Sequence, residues 1–221
     1  MRKQVVIFGL GRFGVSVART LTKIGHEVLA IDKEEKEIQD ISEFVTDAAQ
    51  ADGTDEQALR ELGVGDFEIA VVAVGRDIPT SLMTTVLLKK LGVPHVIVRA
   101  TTDLHGATLE KIGADRVVFP ERDTGERIAH SLTASNITDY IGLTTDYGIG
   151  KVIALDEFVS HTLEEIGLSG NGTDNIRVLL IHRGNNYIVA PDRFERIVAG
   201  DVLVLSGRDD DLERLTSPDQ I

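Results

Sequence analysis

Cysteine is absent from the 221 residues. That excludes disulfides, thiolate nucleophiles and cysteine-ligated zinc, and it is compatible with a cytoplasmic protein. No apolar run is long enough to span a bilayer. Met1-Arg2-Lys3-Gln4 leads straight into an apolar strand, so no signal peptide is expected. Basic residues are in the minority: 23 Lys and Arg against 36 Asp and Glu give a formal net charge of −13. A face that grips phosphodiester backbones needs clustered basic residues, and no basic run is visible, so nucleic acid is not an expected partner. The same acidity disfavours direct contact with anionic lipid.

Catalytic signatures are scarce as well. There is no G-x-S-x-G nucleophile elbow, no lysine closing the glycine loop as in a P-loop NTPase, and no His-x-x-x-His pair among the 6 histidines. His26 and His95 open strands and read as surface residues. Tyr147 and Lys151 have the Tyr-x-x-x-Lys spacing of short-chain dehydrogenases. That pair works on one turn of a helix, and Gly148 and Gly150 between its members cost roughly 2 kcal/mol against a helix. With no acid, base or nucleophile set, the chain does not read as an enzyme.

What is present is concentrated near the N-terminus. The apolar run Val5-Val6-Ile7-Phe8 leads into Gly9-Leu10-Gly11-Arg12-Phe13-Gly14 and then a helical pattern, and Asp32 follows the second apolar run Val28-Leu29-Ala30-Ile31. A G-x-G-x-x-G alone is weak evidence. Between a strand and a helix, with an acid about 20 positions on, it is the dinucleotide-binding fingerprint. Gly9 allows the tight turn, Gly11 lets backbone approach a phosphate, and Gly14 lets the helix pack on the strand. The helix N-terminus offers free N–H groups and partial positive charge to phosphates, and Asp32 can accept hydrogen bonds from ribose hydroxyls.

Strands and helices alternate up to about residue 135. The pattern predicts helices over Glu34–Ile41, Asp55–Leu62, Ile78–Leu91, Asp103–Ile112 and Glu121–Thr133. It predicts strands within Phe44–Ala51 and over Phe67–Val74, His95–Arg99 and Arg116–Phe119. This is an α/β, Rossmann-like doubly wound parallel sheet, covered by helices on both faces. Residues 136–150 show little periodicity and read as a hinge or linker. Residues 151–221 read as a second, small α+β domain: strands at Val152–Leu155, Ile176–Ile181, Tyr187–Ala190 and Asp201–Ser206, a turn at Asn185-Asn186, and short helices at Leu163–Ile166 and Asp209–Leu215. Thr216 to Ile221 read as a disordered tail.

In a doubly wound sheet the ligand lies over the carboxyl ends of the strands. Asp32, Asp52, Gly75-Arg76, Arg99 and Glu121 all come at such ends. Asp52 and Thr54 could reach an adenine edge, or serve as a turn and helix cap. Arg12 and Arg99 could meet phosphates. Arg76 reads as a solvated loop charge. Glu121 either answers the dipole of the helix it opens or helps hold a cation beside the phosphates.

The glycine motif, Asp32, Ala51-Asp52-Gly53-Thr54, Lys111-Ile112-Gly113-Ala114-Asp115 and Pro120-Glu121 together resemble the RCK domain, or Trk/Ktr N-terminal domain, of potassium channels and transporters. From about Lys151 to Leu215, Pro191 and the run Gly200-Asp201-Val202-Leu203-Val204-Leu205-Ser206-Gly207 resemble the matching C-terminal domain. The likeness is nearest to the cytosolic gating subunits of bacterial Ktr systems. It implies homodimers assembled into an octameric ring beneath a membrane-embedded, KtrB- or TrkH-like potassium-translocating subunit, hence a cytoplasmic protein peripheral to the inner face of the plasma membrane. It implies ATP and ADP favouring different ring shapes, with NAD(H) the governing ligand in some members. On this likeness Gly9, Gly11, Phe13 and Gly14 would surround the phosphates, Arg12 would meet the terminal ones, and Asp32 would hold ribose. Asp52, Thr54 and Gly75 would flank the nucleotide, Arg99 would bind phosphate, and Glu121 would hold Mg²⁺, Ca²⁺ or Na⁺ at the dimer interface. Some relatives bind cyclic di-AMP in the C-terminal domain. Ile176, Arg177 and Pro191 lie in that region, where no motif is specific to it. An NAD-dependent oxidoreductase is the rival reading, because ATP and NAD share the adenosine ribose.

Overall fold

The computed structural model describes residues 2–133, 137–144, 146–169 and 176–216. The chain divides into two compact units at Glu121/Arg122.

The first unit alternates strands and helices: β1 (Gln4–Phe8), α1 (Arg12–Lys23), β2 (Glu27–Asp32), α2 (Glu35–Ile41), β3 (Asp47–Gln50), α3 (Glu56–Glu61), β4 (Ile69–Val72), α4 (Ile78–Lys90), β5 (His95–Arg99), α5 (Asp103–Lys111) and β6 (Arg116–Val118). The strands pair in parallel in the order β3-β2-β1-β4-β5-β6. The order reverses between β1 and β4, and a crevice opens at their carboxyl ends. Successive side chains of a strand point to opposite faces, and both faces here are covered. Val6 and Phe8 of β1 join one core, with Leu29 and Ile31 of β2; Val5 and Ile7 join the other, with Val28 and Ala30. That is why both strands read as unbroken apolar runs. Each fully buried Ile, Leu or Phe contributes about 1.5–3 kcal/mol, so a charge at Val6 or Ile7 would disrupt the sheet. Pro79 lies in the first turn of α4, where its missing N–H costs nothing. Asp115 accepts from the Val96 amide at 2.7 Å and from Lys89 Nζ at 2.9 Å, which fixes the start of β5.

Helix α6 (Pro120–Thr133) leads into the second unit. That unit comprises β7 (Ile137–Gly142), β8 (Tyr147–Ile153), β9 (Arg177–Arg183), β10 (Asn186–Val189), β11 (Val202–Arg208) and α7 (Asp209–Thr216). Its sheet is antiparallel, ordered β10-β9-β11-β8-β7. Its own core includes Val152, Ile176, Ile181, Leu203, Leu205 and Leu212. Arg183 bridges β9 to Asp201 through Nε–Oδ1 at 2.9 Å and Nη2–Oδ2 at 2.8 Å, and reaches Glu195 at 3.0 Å.

Three expectations are corrected. The stretch read as a linker, residues 136–150, contains β7 and the first half of β8 in its described part. Its glycines misled because one of them serves packing: a Cβ on Gly148 would stand 2.3–2.5 Å from the ring and hydroxyl of Tyr140. The helix expected at Leu163–Ile166 is a single turn closed by a capping box, Thr162 N–H to Glu165 Oε2 at 2.7 Å and Glu165 N–H to Thr162 Oγ1 at 3.2 Å. The β9–β10 turn is Gly184-Asn185, one residue earlier than expected, with Gly184 at φ +59° as the first turn position of a type II′ hairpin requires. Of the tail expected to be disordered, Thr216 ends α7 and residues 217–221 lie outside the described residues.

Candidate functional site

The site begins at α1. Gly11 is its N-cap (φ −68°, ψ −178°), no side chain among the described residues caps the amides of its first turn, and no acid lies in that turn. The neighbouring helices differ. Asp55 caps α3, Asp77 caps α4, Thr102 caps α5, and Glu35 and Glu37 occupy the first turn of α2. Their amides or dipoles are answered within the chain. Those of α1 are left to what occupies the space before it, with the partial positive charge of a helix N-terminus behind them.

The glycine loop is held rigidly in place. Gly9 takes φ +89°, and its amide bonds the Ile31 carbonyl at 2.9 Å. A Cβ on Gly14 would lie 1.9 Å from the Gly9 carbonyl oxygen, so the helix sits against the loop only because Gly14 is glycine. Asp32 closes the arrangement: its Oδ2 accepts from the Leu10 amide at 2.6 Å and its Oδ1 from the Glu34 amide at 3.0 Å. A carboxylate has about four acceptor sites, so two remain for a ligand.

Beside the loop is a cavity of about 670 Å³. Gly9, Gly11, Arg12, Phe13, Asp32, Asp52, Gly75, Arg99 and Glu121 line it. Gly14 and Thr54 do not. Gly14 serves the packing just described, and Thr54 serves Asp52, whose Oδ1 accepts from the Thr54 amide at 2.8 Å and its hydroxyl at 2.7 Å. Those two bonds, the hydroxyl first, hold the Asp52 carboxyl below its usual range. The cap of α3 is Asp55, neither Asp52 nor Thr54. Lys33, Arg76, Asp77, Thr80 and Thr84 also line the cavity. Arg76, read as a solvated loop charge, is exposed and stands at the edge of this cavity. The first turns of α4 were missed because the sequence places them only as a helix, with no motif to aim them at the crevice.

Arg99 and Glu121 meet each other. Arg99 Nη2 stands 2.5 Å from Glu121 Oε1, with the arginine side chain 19 % and the glutamate 66 % exposed. Burial pushes the Glu121 carboxyl up, but the Arg99 hydrogen bond and the charges of Arg99 and Arg12 outweigh it and leave it below its usual range. Arg99 lies across Gly75, where a Cβ would be 2.2 Å from Nη1. Arg12 is exposed and makes no ion pair among the described residues. Among the described residues no three His, Cys, Asp or Glu side chains converge as a metal site. Within one chain the fit of Glu121 to a cation is therefore poor, with one carboxylate and an arginine on it. Tyr147 and Lys151 both lie on β8, about 13 Å apart along an extended strand, which is not the one-turn helical spacing a catalytic pair needs.

Comparison with known proteins matches these features. The TrkA-N domain family matches residues 5–120, and the TrkA-C domain family residues 151–218. The chain belongs to the family of potassium uptake proteins built from these two domains. It is 36 % identical over 214 residues to Ktr system potassium uptake protein C of Bacillus subtilis, covering 97 % of this chain and 96 % of the relative. It is 37 % identical over 212 residues to protein A of the same system and organism, covering 96 % and 95 %. Among solved structures, the RCK domain of GsuK superposes with a TM-score of 0.66 at 18 % identity, over 98 % of this chain and 48 % of that one. The GsuK channel bound to NAD superposes at 0.65 and 18 % identity, over 100 % and 41 %. The chain thus spans about half of the GsuK RCK-domain chain and about two-fifths of the GsuK channel, and at this identity the likeness shows the RCK fold alone. No helix among the described residues is long and apolar enough to cross a membrane.

Proposed function

We propose that this chain is the nucleotide-sensing regulatory subunit of a potassium transporter, a cytoplasmic protein held at the inner face of the membrane by a KtrB- or TrkH-like partner. The observation that carries the reading is the uncapped N-terminus of α1, opening with Arg12 beside a cavity that Asp32 also lines. In this reading the first-turn amides of α1 and Arg12 take the phosphates, and the free acceptor sites of Asp32 take the ribose. Asp52 stands on the adenine side, and Arg99 is a further phosphate contact. The chain works without chemistry of its own, as a homodimer built into an octameric ring.

A ligand shifts a conformational equilibrium only by its differential affinity for the two states. ATP carries a terminal phosphate that ADP lacks, and the unpaired Arg12 is the group placed to feel it. The experiment is equilibrium binding of ATP and ADP to wild type and Arg12→Ala. The expected result is a loss of ATP affinity larger than the loss of ADP affinity. An equal fall in both contradicts the switch. A cation at Glu121 would need Arg99 to move away, with further donors from the phosphates and a second copy. Cyclic di-AMP in the second unit, near Ile176, Arg177 and Pro191, is tested by the same titration.

A second reading, NAD(H) as the governing ligand, is favoured by one observation: solved GsuK structures of this fold are described as bound to NAD and to ADP. Stabilisation by NADH but not by ADP would select it, and hydride transfer to a substrate would turn it into an oxidoreductase.

A further inference from the structure

Four basic and four acidic side chains line the cavity, and they do not simply cancel. Each acid is already engaged with the chain. Asp32 holds the Leu10 and Glu34 amides, Asp52 holds Thr54, Asp77 caps α4 through the Thr80 amide at 3.1 Å, and Glu121 holds Arg99. Among the bases, Arg99 is answered by Glu121, and Lys33 lies in the field of the Asp52 and Asp77 charges. Arg12 and Arg76 are exposed, and neither makes an ion pair among the described residues. Arg12 opens α1, at the phosphate end of the proposed site. Arg76 is the unanswered charge with no role yet.

The sheet order says which part of the crevice Arg76 borders. The order reverses between β1 and β4, and a dinucleotide lies across such a crevice with one nucleoside on each side. Asp32 ends β2 and belongs to one side. The other side is formed by the ends of β4, β5 and β6, which carry Arg76, Arg99 and Glu121. A second nucleoside would have to sit there, and its flat, uncharged ring is best held by apolar walls. The chain supplies guanidinium groups instead. The Arg99 guanidinium lies across Gly75, and Arg76 is the next residue, one Cα step of about 3.8 Å further on. The Asp77 cap fixes the chain on its other side. Two arginines thus stand together on this rim with one carboxylate between them. A guanidinium offers planar, paired donors that match the oxygens of a free phosphate.

We propose that Arg76 is a specificity-determining residue: it grips the free terminal phosphate of a nucleotide and so disfavours a dinucleotide, whose second nucleoside takes that place. This deepens the nucleotide reading of the cavity and rests on it. The test is calorimetric titration of wild type and Arg76→Gln with ADP and with NAD⁺, at one salt concentration and without divalent cations. NAD⁺ contains the whole of ADP but has its outer phosphate esterified, so the pair isolates the free phosphate. Wild type is expected to bind ADP more tightly than NAD⁺. In Arg76→Gln the ADP affinity is expected to fall on the order of tenfold, with NAD⁺ affinity unchanged or raised. The residue is exposed, so the unliganded variant is expected to melt with wild type, which separates lost binding from lost fold. Unchanged ADP affinity in Arg76→Gln, or an equal fall for both ligands, overturns the role of Arg76 and leaves the nucleotide site standing. Wild type that binds NAD⁺ more tightly than ADP does the same. Wild-type protein that binds neither ligand overturns the nucleotide reading itself, and this inference with it.

Discussion

Arg99 and Glu121 are tied together at the ends of neighbouring elements, the guanidinium of one 2.5 Å from the carboxylate of the other. Both line the cavity, so the pair is a competition. A phosphate reaching Arg99 must share it with Glu121. Glu121→Gln removes the competing charge, and ADP affinity measured in low salt without divalent cations is expected to rise several-fold. An unchanged affinity would mean that Arg99 does not contact the ligand. With Glu121 66 % exposed, the pair itself adds little to folding stability.

Gly75 sets where Arg99 lies. An alanine there puts its Cβ about 2.2 Å from Nη1 in the present geometry, and the flexible guanidinium must swing away. Gly75→Ala is therefore expected to fold with a melting temperature close to wild type, while ADP affinity falls at least several-fold. A variant that binds like wild type would show that the position of Arg99 over Gly75 is immaterial to the site.

The second unit depends on Gly148 for packing. Gly148→Val drives the Tyr140 ring from its seat and breaks the hydrogen bond from the Tyr140 hydroxyl to Asp209. Overpacking of this kind costs about 1–3 kcal/mol, read as a shift in the urea midpoint. Tyr140→Ala combined with Gly148→Val should lose less than the sum of the single variants, because the clash vanishes with the ring. Additive losses would contradict it.

Arg183 and Asp201 make the second unit sensitive to acid. Burial pushes the Asp201 carboxyl up, but the Arg183 hydrogen bonds, the Val198 amide and the Arg183 charge outweigh it, and the group titrates below its usual range. A depressed carboxyl stabilises the fold above its unfolded value of about 3.9, and that stability drains away as pH falls through the folded value. Asp201→Ala leaves Arg183, a third exposed, with Glu195 as its remaining acidic partner in this network and is expected to cost about 1–3 kcal/mol at neutral pH. The difference from wild type should shrink below about pH 4. A constant difference across that range would place the stabilising charge elsewhere.

The first unit was legible in the sequence because two-sided burial writes itself as apolar runs, and the glycine motif, Asp32 and the strand-end acids sit where those runs stop. The second unit was less so. Gly148 and Gly150 were read as linker glycines, because a glycine that makes room for a distant tyrosine has no local signature. The Arg183–Asp201 bridge joins residues 18 apart, and no pattern in either segment announces it.

The central claim is that the open end of α1 is where the ligand's phosphates bind. Gly11 has nothing within 4 Å of a Cβ built on it, so the position accepts a side chain. Gly11→Asp installs the missing N-cap and sets a carboxylate where a phosphate should go. The measurement is thermal unfolding of wild type and Gly11→Asp with and without ADP. The predicted result is wild type stabilised by about 2.7 kcal/mol at a hundredfold excess over its dissociation constant. The variant should be at least as stable without ligand and indifferent to ADP. A variant that ADP stabilises as strongly as wild type would contradict the assignment of the site.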